Sequence, residues 1–435
     1  MKITDIHALE ILDSRGNPTV RTFVTLEDGT KHVSSVPSGA STGSHEAVEL
    51  RDQDNSRYGG AGVLKAVDNV NNTIKNALVG MEADPNLIDS KLLELDGTTN
   101  KANLGANAIL SVSLAVCRAA AHSQNLPLWK FLNEYFFNHQ SSIINHSLNF
   151  PQLMVNIVNG GKHANWNFDI QEFMVVPNES KPSESVKIAA EIFHALGNVL
   201  KQRGLSALVG DEGGYSPALN SNEEVLDTII EAARNAGYEN VRDFRLSLDC
   251  AATEWWKDSS YFSHKSNSKK SAEDLISYYQ QLAINYQLLS IEDPFAEDDW
   301  EAWKKFVYVT ASDSAAVSEI ASSQTPRNDD LVIIGDDLFV TNPERIKRGI
   351  EEKAANAVLV KVNQIGTMKE TAEAINMTHS AGWKTAISHR SGETEDNFIA
   401  DLAYACGSEF IKTGSMSRSE RLSKYNRLLE IESGI

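Results

Sequence analysis

Residues 331–337 read LVIIGDD and residues 357–364 read AVLVKVNQ. Each is a short apolar run that ends in polar or charged residues, and an amphipathic stretch typical of a surface helix separates them. Repeated units of this kind predict a parallel β-sheet or a (β/α) barrel. Similar runs recur from about residue 150 onward, at residues 151–161, 169–177, 205–214, 244–250, 287–294, 383–392 and 408–414.

A doubly wound sheet is the alternative to a barrel. Sheets of that kind usually carry a glycine-rich phosphate-binding turn after their first strand, and the sequence has none in the right context. Any single acid at the end of a run could be a helix N-cap. Six titratable residues at such positions favour a barrel, in which the strand ends converge on the face that carries the active site. These residues are Glu212, Asp249, Glu292, Asp336, His389 and Lys412.

The first part of the chain has a different pattern. Residues 11–37 alternate apolar and polar side chains around a turn at residues 28–29, which predicts an antiparallel hairpin or meander. Helical periodicity follows, most clearly in residues 103–124. Strands followed by helices predict a compact α+β domain. We therefore place this domain at residues 1–140 and the catalytic barrel at residues 141–435.

Composition limits the kinds of partner. The chain has 435 residues, a formal charge of −19 and a pI near 5.0, so a nucleic acid or an anionic membrane is disfavoured as a partner. The first ten residues lack the apolar core of a signal peptide, and no apolar run has the length of a membrane span, so we expect a cytoplasmic protein. Cys117, Cys250 and Cys406 are far apart and odd in number, which predicts buried free thiols and no disulfide framework.

Three of the acids at strand ends, Asp249, Glu292 and Asp336, predict a metal site. Carboxylates that are brought together repel one another unless a cation holds them, and ligation by oxygen alone suits Mg²⁺. Three separate helix caps or surface acids are the alternative. Asp337 directly follows Asp336, and spacing does not select between these two aspartates.

Lys361 lies between two valines at the end of a predicted strand. A lysine in this position could lay its stem along apolar surface and reach water with its ammonium group. It could also be a catalytic base, because neighbouring groups inside a site can shift the pKa of a lysine. Both interpretations stay open at this point.

Two turns have compositions that suit an anionic ligand. Arg390 and Ser391 follow a predicted strand, and a guanidinium with a hydroxyl group is well suited to a phosphate. A plain loop would use the same residue types. Residues 36–47 are rich in glycine and serine and form either a mobile lid or a turn into a helix.

Glu172, Glu212 and His163 each lie near glycines that let the backbone bend beside a ligand. Two carboxylates can act as acid and base when their environments separate their pKa values. Glycines also simply end strands, so each residue taken alone has a structural interpretation too.

A series of longer motifs runs in one order from residue 11 to the last predicted helix. They include SRGNPTV (14–20), VPSGASTG (36–43), GDEGG (210–214), IEDPFAEDDW (291–300), GDDLFVTNP (335–343), VKVNQIGT (360–367) and SHRSGETED (388–396). Taken together and in this order, these motifs resemble those of the enolase family, the phosphopyruvate hydratases. Such a match is far more specific than a single short motif.

The resemblance implies an α/β fold: a (β/α)8 TIM-like barrel whose first strands depart from strict alternation, with an N-terminal α+β capping domain. The lack of a predicted helix between residues 151–161 and 169–177 agrees with that irregular start. The resemblance also implies glycolytic, Mg²⁺-dependent and reversible dehydration of a small phosphorylated substrate, 2-phosphoglycerate, to phosphoenolpyruvate. Enolases form homodimers or octamers of dimers, and the sequence does not select between these.

Catalytic and metal-binding roles are implied by position. Lys361 resembles the general base and Glu212 the general acid, with Glu172 beside it. Two Mg²⁺ sites are implied, and the second would form together with the substrate and Ser41. The family pattern selects the first aspartate of the GDD motif, so the first Mg²⁺ would be held by Asp249, Glu292 and Asp336.

Substrate-binding roles follow in the same way. Arg390 and Ser391 would bind the phosphate group and Lys412 the carboxylate. His163 and His389 would complete the pocket, to which Glu172 and Lys361 also belong.

Two segments differ from the usual family pattern. One is a catalytic loop in which the family commonly has small or polar residues, whereas this chain has Lys162, Trp166 and Phe168. The sequence therefore does not decide whether the loop closes or how tightly the substrate binds. Residues 309–330 look like a polar insertion, which we expect on the surface and away from the strand ends.

Two other functions compete with an enolase. A related acid-sugar dehydratase or racemase would share the barrel and the metal-binding acids, but should lack the SHRSG motif that suits a phosphate and the SGAST motif of the lid. A binding or structural protein derived from an enolase, as in some lens proteins, should have lost a catalytic residue. The chain has both motifs and none of the implied catalytic residues is missing.

Overall fold

The computed structural model describes residues 1–39, 45–137, 148–164, 166–317 and 331–435. The chain begins with an antiparallel sheet of β1 (Ile3–Leu12), β2 (Pro18–Leu26) and β3 (Lys31–Ser35), with β2 in the centre. In the turn between β2 and β3, Gly29 has a φ of 84°, a conformation that glycine adopts easily. Asp28 stabilises the same turn by accepting the backbone N–H of Thr30 at 2.9 Å. The predicted meander is confirmed.

Helices follow this sheet. The longest, α4, packs against β2 and β3, and its sides are almost wholly buried, as its continuously apolar sequence requires. It also contacts the barrel, because the Ser113 hydroxyl accepts the backbone N–H of Met368 at 2.9 Å. The helices are α1 (Leu64–Asp68), α2 (Lys75–Leu78), α3 (Pro85–Asp96), α4 (Ala106–Ser123) and α5 (Leu128–Leu132), with irregular helical turns at Tyr58–Gly60, Asn69–Ile74 and Asn133–Phe137.

In the described part of the chain, eight strands close into a barrel in the order β4-β5-β6-β10-β11-β12-β13-β14. Their bounds are β4 (Gln152–Asn159), β5 (Glu172–Pro177), β6 (Phe244–Asp249), β10 (Ser290–Glu292), β11 (Val332–Gly335), β12 (Ala357–Val360), β13 (Lys384–Ser388) and β14 (Phe410–Lys412). A separate antiparallel sheet contains β7 (Trp256–Lys257), β8 (Ser260–Ser263) and β9 (Ser268–Lys270). The predicted barrel with an N-terminal α+β region is confirmed.

The barrel starts irregularly. Strand β5 runs antiparallel to both β4 and β6, whereas the other neighbouring barrel strands are parallel. A parallel connection would need a crossover, usually a helix. In the described residues between β4 and β5, the only helical element is a short turn at Gly161–Ala164. The expected departure from strict β/α alternation is confirmed.

One predicted strand is wrong. Residues 205–214 do not join the barrel, and Val209 forms only an isolated bridge with Tyr215. Their apolar side chains do not form a buried row, since Leu208 is 77% exposed. Instead, α6 (Pro182–Gln202) and α7 (Asn222–Asn235) lie between β5 and β6, and Glu212 is on the loop between these helices.

Helices cover the outside of the barrel. The predicted insertion at residues 309–330 is helical at its start, because α9 continues to Val317, and Thr310 within it is buried. This start is thus the end of a helix in which Val309 is half-buried and Ala311 exposed. The expected position of the insertion on the surface and away from the strand ends stays a prediction, and residues 318–330 lie outside the described residues. The remaining helices are α8 (Ala272–Tyr286), α9 (Trp300–Val317), α10 (Pro343–Glu352), α11 (Val362–Ile365), α12 (Met368–Ser380), α13 (Phe398–Ala405) and α14 (Ser419–Glu432).

Several other expectations can be compared with this fold. The cysteines, all in described segments, are buried and free, as predicted. Among the described helices, none combines the length and the apolar character needed to cross a membrane. The predicted domain boundary at residues 140 and 141 lies within 138–147, outside the described residues.

A carboxyl group is buried where the N-terminal helices meet the barrel. Asp89 of α3 is fully buried, and its Oδ2 accepts the backbone N–H of Lys369 of α12 at 2.9 Å. Burial raises the pKa of Asp89 from its usual 3.8 to about 7, and the hydrogen bond to Lys369 only partly offsets that effect. Between these two pH values the folded chain holds a proton that the unfolded chain has released.

We predict that Asp89→Asn removes a pH-dependent loss of stability. The folded-state pKa is raised, so the stability associated with Asp89 is fully present below pH 3.8 and is lost as the pH rises towards and through about 7. Relative to the variant, the free energy of unfolding of the wild type should be up to about 4 kcal/mol lower at pH 8 than at acid pH.

The measurement is urea unfolding of both proteins at several pH values between 4 and 8. Glu94→Gln, which alters an exposed carboxylate of α3 that pairs with Lys91, is the matched control and should show no such trend. A difference between wild type and Asp89→Asn that does not change with pH would contradict the prediction.

Candidate active site

The carboxyl ends of the parallel barrel strands bring most of the predicted site residues into one cleft. Asp249, Glu292 and Lys412 are the last residues of β6, β10 and β14. Asp336, Lys361 and His389 directly follow β11, β12 and β13. All of these residues line the cleft or pair with a residue that lines it, together with Glu172, Glu212, Arg390 and Ser391.

The reversed direction of β5 adds Glu172 to the same end. Glu172 is the first residue of β5, and it pairs in register with Asp249, the last residue of the antiparallel β6. In a strand parallel to its neighbours, the first residue would lie at the opposite end of the barrel. The irregular start of the barrel thus places a fourth carboxylate in the site.

Lys412 lies among three of these carboxylates. Its Nζ is 2.8 Å from Asp249 Oδ2, 2.9 Å from both Glu292 oxygens and 3.3 Å from Glu172 Oε2. The surrounding acids raise the pKa of Lys412 well above its usual value, although burial alone would lower it. Burial is also the main reason that the pKa values of Glu172 and Glu292 are raised, with a contribution from neighbouring carboxylates.

Lys361 is held by Asp336. Its Nζ donates to Asp336 Oδ2, and Gln364 Nε2 donates to the other oxygen at 2.9 Å. Thr341 positions both partners, since its hydroxyl donates to Gln364 Oε1 at 2.7 Å and accepts the backbone N–H of Lys361 at 2.9 Å. With a side chain only 15% exposed, Lys361 does not extend into solvent but turns into the cleft.

The pairing also sets the protonation of Lys361. Burial would lower its pKa, but the charge of Asp336 outweighs burial and raises it. Burial would raise the pKa of Asp336, but the charge of Lys361 and its hydrogen bond outweigh burial and lower it. In this state the lysine is an ammonium group and the aspartate a carboxylate.

The carboxylates suit a hard divalent cation. Oxygen atoms of Asp293, Asp336 and Asp337 lie within 4.8 Å of one another, and all three side chains face the cleft. Such oxygen-only sites favour Mg²⁺ over softer metals. This group overlaps the predicted set of Asp249, Glu292 and Asp336 in only one residue.

Asp293 has a structural role that the sequence did not suggest. Its two oxygens accept the backbone N–H groups of Asp336 and Asp337 at 2.9 and 2.8 Å. Its own backbone has a φ of 42°, in the left-handed region. Asp293 therefore holds the GDD turn in place. By contrast, the carboxylates of Asp249, Glu292 and Asp336 accept hydrogen bonds from lysine, glutamine or nearby backbone groups.

Arg390 and Ser391 bring a guanidinium and a hydroxyl group to the cleft. Arg390 forms a two-pronged pair with Glu46, at 2.9 and 3.2 Å, and also donates to Asn363 Oδ1 at 3.1 Å. Arg15 Nη1 donates to the hydroxyl of Ser391 at 3.3 Å. Sequence reasoning missed Arg15 and Glu46, although both lie within motifs that it quoted or beside them.

Glu212 reaches the cleft from its loop. Its Oε2 accepts a hydrogen bond from Asn156 Nδ2 at 2.9 Å, and both residues are buried. Gly213, with a φ of 88°, lets the loop pass close to Ser417, because a Cβ at this position would be 2.6 Å from the Ser417 carbonyl oxygen. Asn156 was also missed, and its only signal is a polar residue inside an otherwise apolar strand.

The unusual loop before β5 is anchored to the β7-β8-β9 sheet region. Trp166 stacks on His264 with ring centroids 3.8 Å apart, and Lys162 pairs with Glu254 at 3.0 Å. Phe168 is fully buried and packs edge-on against Phe173. The residues that depart from the family pattern therefore form contacts that hold the loop.

Two predicted site residues cannot be placed. Ser41 lies in 40–44, outside the described residues. His163 lies in the short helical turn Gly161–Ala164, but its side chain is outside the described part of the structure.

Comparison with known protein families agrees with this architecture. Residues 3–132 match the family model described as enolase, N-terminal domain, and residues 147–435 match that described as enolase, C-terminal TIM barrel domain. The second match alone covers more than half of the chain. The chain belongs to the enolase family, whose members are lyases that generally depend on Mg²⁺.

Proposed function

We propose that this chain is a glycolytic enolase that catalyses the reversible dehydration of 2-phosphoglycerate to phosphoenolpyruvate. The observation that carries this function is a single cleft that combines carboxylates, two lysines and an arginine. Lys361, Lys412, Arg390 and Ser391 line this cleft, and Arg15 donates a hydrogen bond to the Ser391 hydroxyl. A substrate with both a carboxylate and a phosphate group could bind Lys412 with one anion and Arg390 with the other.

Lys361 is the proposed general base. Its Nζ lies in the cleft and can approach a carbon next to a carboxylate that Lys412 binds. Mg²⁺ bound to the carboxylates of the cleft would offset the negative charge that keeps Lys361 protonated. It would also stabilise the extra negative charge on the substrate carboxylate. A neutral amine at this position could then accept the proton.

Glu212 and Glu172 are proposed to supply the proton that leaves with the hydroxyl group. The pKa of Glu172 is raised by burial and by the charge of Glu212, a shift that favours a carboxyl group able to donate a proton. Asn156 donates to Glu212 Oε2 and thereby orients the carboxyl group. Proton removal and proton donation are thus assigned to different residues of the same cleft.

The phosphate group is proposed to bind at Arg390 and Ser391. Arg390 already holds the carboxylate of Glu46 with two hydrogen bonds, which is the geometry it would offer to a phosphate. The incoming phosphate must replace Glu46 or share Arg390 with it. A second Mg²⁺ at Ser41 and pocket closure by His163 belong to the same proposal.

Two further attributes are proposed from family membership. We expect a homo-oligomer, a dimer or an octamer of dimers, and a cytoplasmic location. A related acid-sugar dehydratase remains the second candidate, but it would have no phosphate to place at Arg390 and Ser391.

We predict that the purified chain converts 2-phosphoglycerate to phosphoenolpyruvate only when a divalent cation is present. Without such a cation, the carboxylates of the cleft would repel the extra negative charge that forms on the substrate carboxylate. The measurement is product formation with Mg²⁺, after chelation, and after Mg²⁺ is restored. An acid sugar without phosphate is the control substrate, and turnover of that compound in place of 2-phosphoglycerate would contradict the proposed function.

We predict that Lys361→Ala lowers turnover by about 10³-fold or more, because it removes the proposed base. Lys347→Ala, which removes an exposed lysine of α10, is the matched control and should retain full turnover. Circular dichroism and Mg²⁺ binding should show that the Lys361 variant is folded and still binds the cation. Near-normal turnover by a folded Lys361→Ala protein would exclude this residue as the base.

We predict that Trp166→Ala impairs the reaction without unfolding the protein, because the loop that carries His163 loses its stacking contact with His264. Aromatic pairs contribute about 0.5–1.5 kcal/mol, so kcat/KM should fall by up to about tenfold. His264→Ala should have the same effect, and the double variant should be little worse than either single variant.

Trp129→Ala is the control for general loss of an aromatic contact, because Trp129 packs on Tyr404, far along the chain from this loop. Additive effects of Trp166→Ala and His264→Ala on kcat/KM would show that the stacked pair does not position the loop.

A further inference from the structure

A buried arginine behind the cleft contacts the residues that line it. Arg421, near the start of α14, is wholly buried. Its Nη1 is 2.6 Å from His389 Nδ1 and also donates to the carbonyl oxygen of Arg390. Its Nη2 donates to the carbonyl oxygens of Ser391 at 2.6 Å and Asp211 at 3.2 Å. One guanidinium group thus joins the turn after β13 to the loop that carries Glu212.

The contact with His389 determines where the imidazole proton lies. A guanidinium group has only N–H donors and no acceptor. Nδ1 of His389 can therefore take part in this hydrogen bond only through its lone pair. A neutral imidazole with an accepting Nδ1 carries its proton on Nε2.

The surroundings of His389 favour this neutral form. Burial, followed by the charge of Arg421, lowers the pKa of His389 well below its usual value. Lys412 and Lys361 act in the same direction, and Glu212 is the opposing negative charge. Within the described residues, no hydrogen bond is recorded for Nε2, while His389 lines the cleft.

The packing around Arg421 leaves it little freedom. A Cβ at Gly414 would lie 2.8 Å from Arg421 Cδ and 2.8 Å from the carbonyl oxygen of Glu212. The backbone at Gly414 has a φ of 82°, so this glycine allows the close approach of the arginine stem and the Glu212 loop.

We propose that Arg421 is a positioning residue that holds His389 as the Nε2–H tautomer, so that His389 donates a hydrogen bond to an oxygen atom of the bound substrate. The catalytic part of this role rests on the proposed function. His389 would then act as a hydrogen-bond donor and not as a base, because its only remaining nitrogen already carries a proton. Arg421 also keeps the phosphate-binding turn and the Glu212 loop at a fixed spacing.

The first test is the tautomer of His389 in the wild-type protein without substrate. Two-bond ¹H–¹⁵N correlation spectra of protein labelled with ¹⁵N-histidine distinguish Nε2–H, Nδ1–H and charged imidazole, and His389→Gln identifies the signals. We expect the Nε2–H pattern from pH 6 to 9. An Nδ1–H or charged imidazole at pH 7 would overturn the proposal without any change to Arg421.

The second test changes the arginine. Arg421→Met keeps the length of the stem but removes the donors, and we expect loss of the single Nε2–H pattern together with a fall in kcat/KM of about 10- to 100-fold, as is typical when the group that orients a functional histidine is removed. Arg421→Lys keeps one charged donor and should restore part of both. Arg427→Met removes a half-buried arginine of the same helix that pairs with Asp401, and should leave the His389 spectrum unchanged.

The outcomes separate this inference from the proposed function. If the chain does not dehydrate 2-phosphoglycerate, the proposed function fails, while the spectra still decide whether Arg421 sets the tautomer. If a folded Arg421→Met protein keeps the wild-type His389 spectrum, or keeps kcat/KM within twofold, Arg421 has a structural role only. Should Arg421→Met fail to fold, the wild-type spectrum and Arg421→Lys still test the inference.

Discussion

The catalytic end of the barrel depends on the balance of buried charge. Asp249, Glu292 and Glu172 lie close together in a water-poor site, and only Lys412 among them is positive. Removal of one partner from a buried ion pair typically costs about 3–5 kcal/mol, because the remaining charge is left uncompensated. Lys412 is therefore a structural as well as a chemical element. Without it, the three carboxylates would repel one another.

The direction of β5 adds one more carboxylate to this cluster. A strictly alternating barrel would place the first residue of its second strand at the opposite end from the acids. Because β5 runs backwards, Glu172 lies beside Asp249 in register and comes within 3.3 Å of Lys412. The two helices that follow, α6 and α7, then return the chain so that β6 resumes the parallel arrangement. The topological irregularity thus has a chemical consequence, since it provides a carboxylate next to Glu212.

Local signals in the sequence were enough to predict the barrel and most of the cleft. An apolar run that ends in a charged residue is a property of a few neighbouring positions, and Asp249, Glu292, Asp336, Lys361, His389 and Lys412 all have it. The failures have long-range causes. Residues 205–214 are apolar enough for a strand but find no neighbouring strand, and Leu208 remains exposed. The partners Glu46 of Arg390 and Arg421 of His389 are set by tertiary packing between distant segments, which no local pattern records.

The Glu46–Arg390 pair bears on the choice between an enolase and a related dehydratase. Both side chains are nearly buried, and two hydrogen bonds at 2.9 and 3.2 Å satisfy the guanidinium group with a carboxylate of the chain itself. A ligand gains binding free energy from this arginine only if it carries at least as much negative charge, and as many hydrogen-bond acceptors, as Glu46. A phosphate group does so, since it carries three strong acceptor oxygens and close to two negative charges. A sugar hydroxyl does not, so an unphosphorylated acid would leave the pair intact and would bind through its carboxylate alone. We therefore expect Arg390 to favour a phosphorylated ligand, because its guanidinium group already pairs with a carboxylate of the protein.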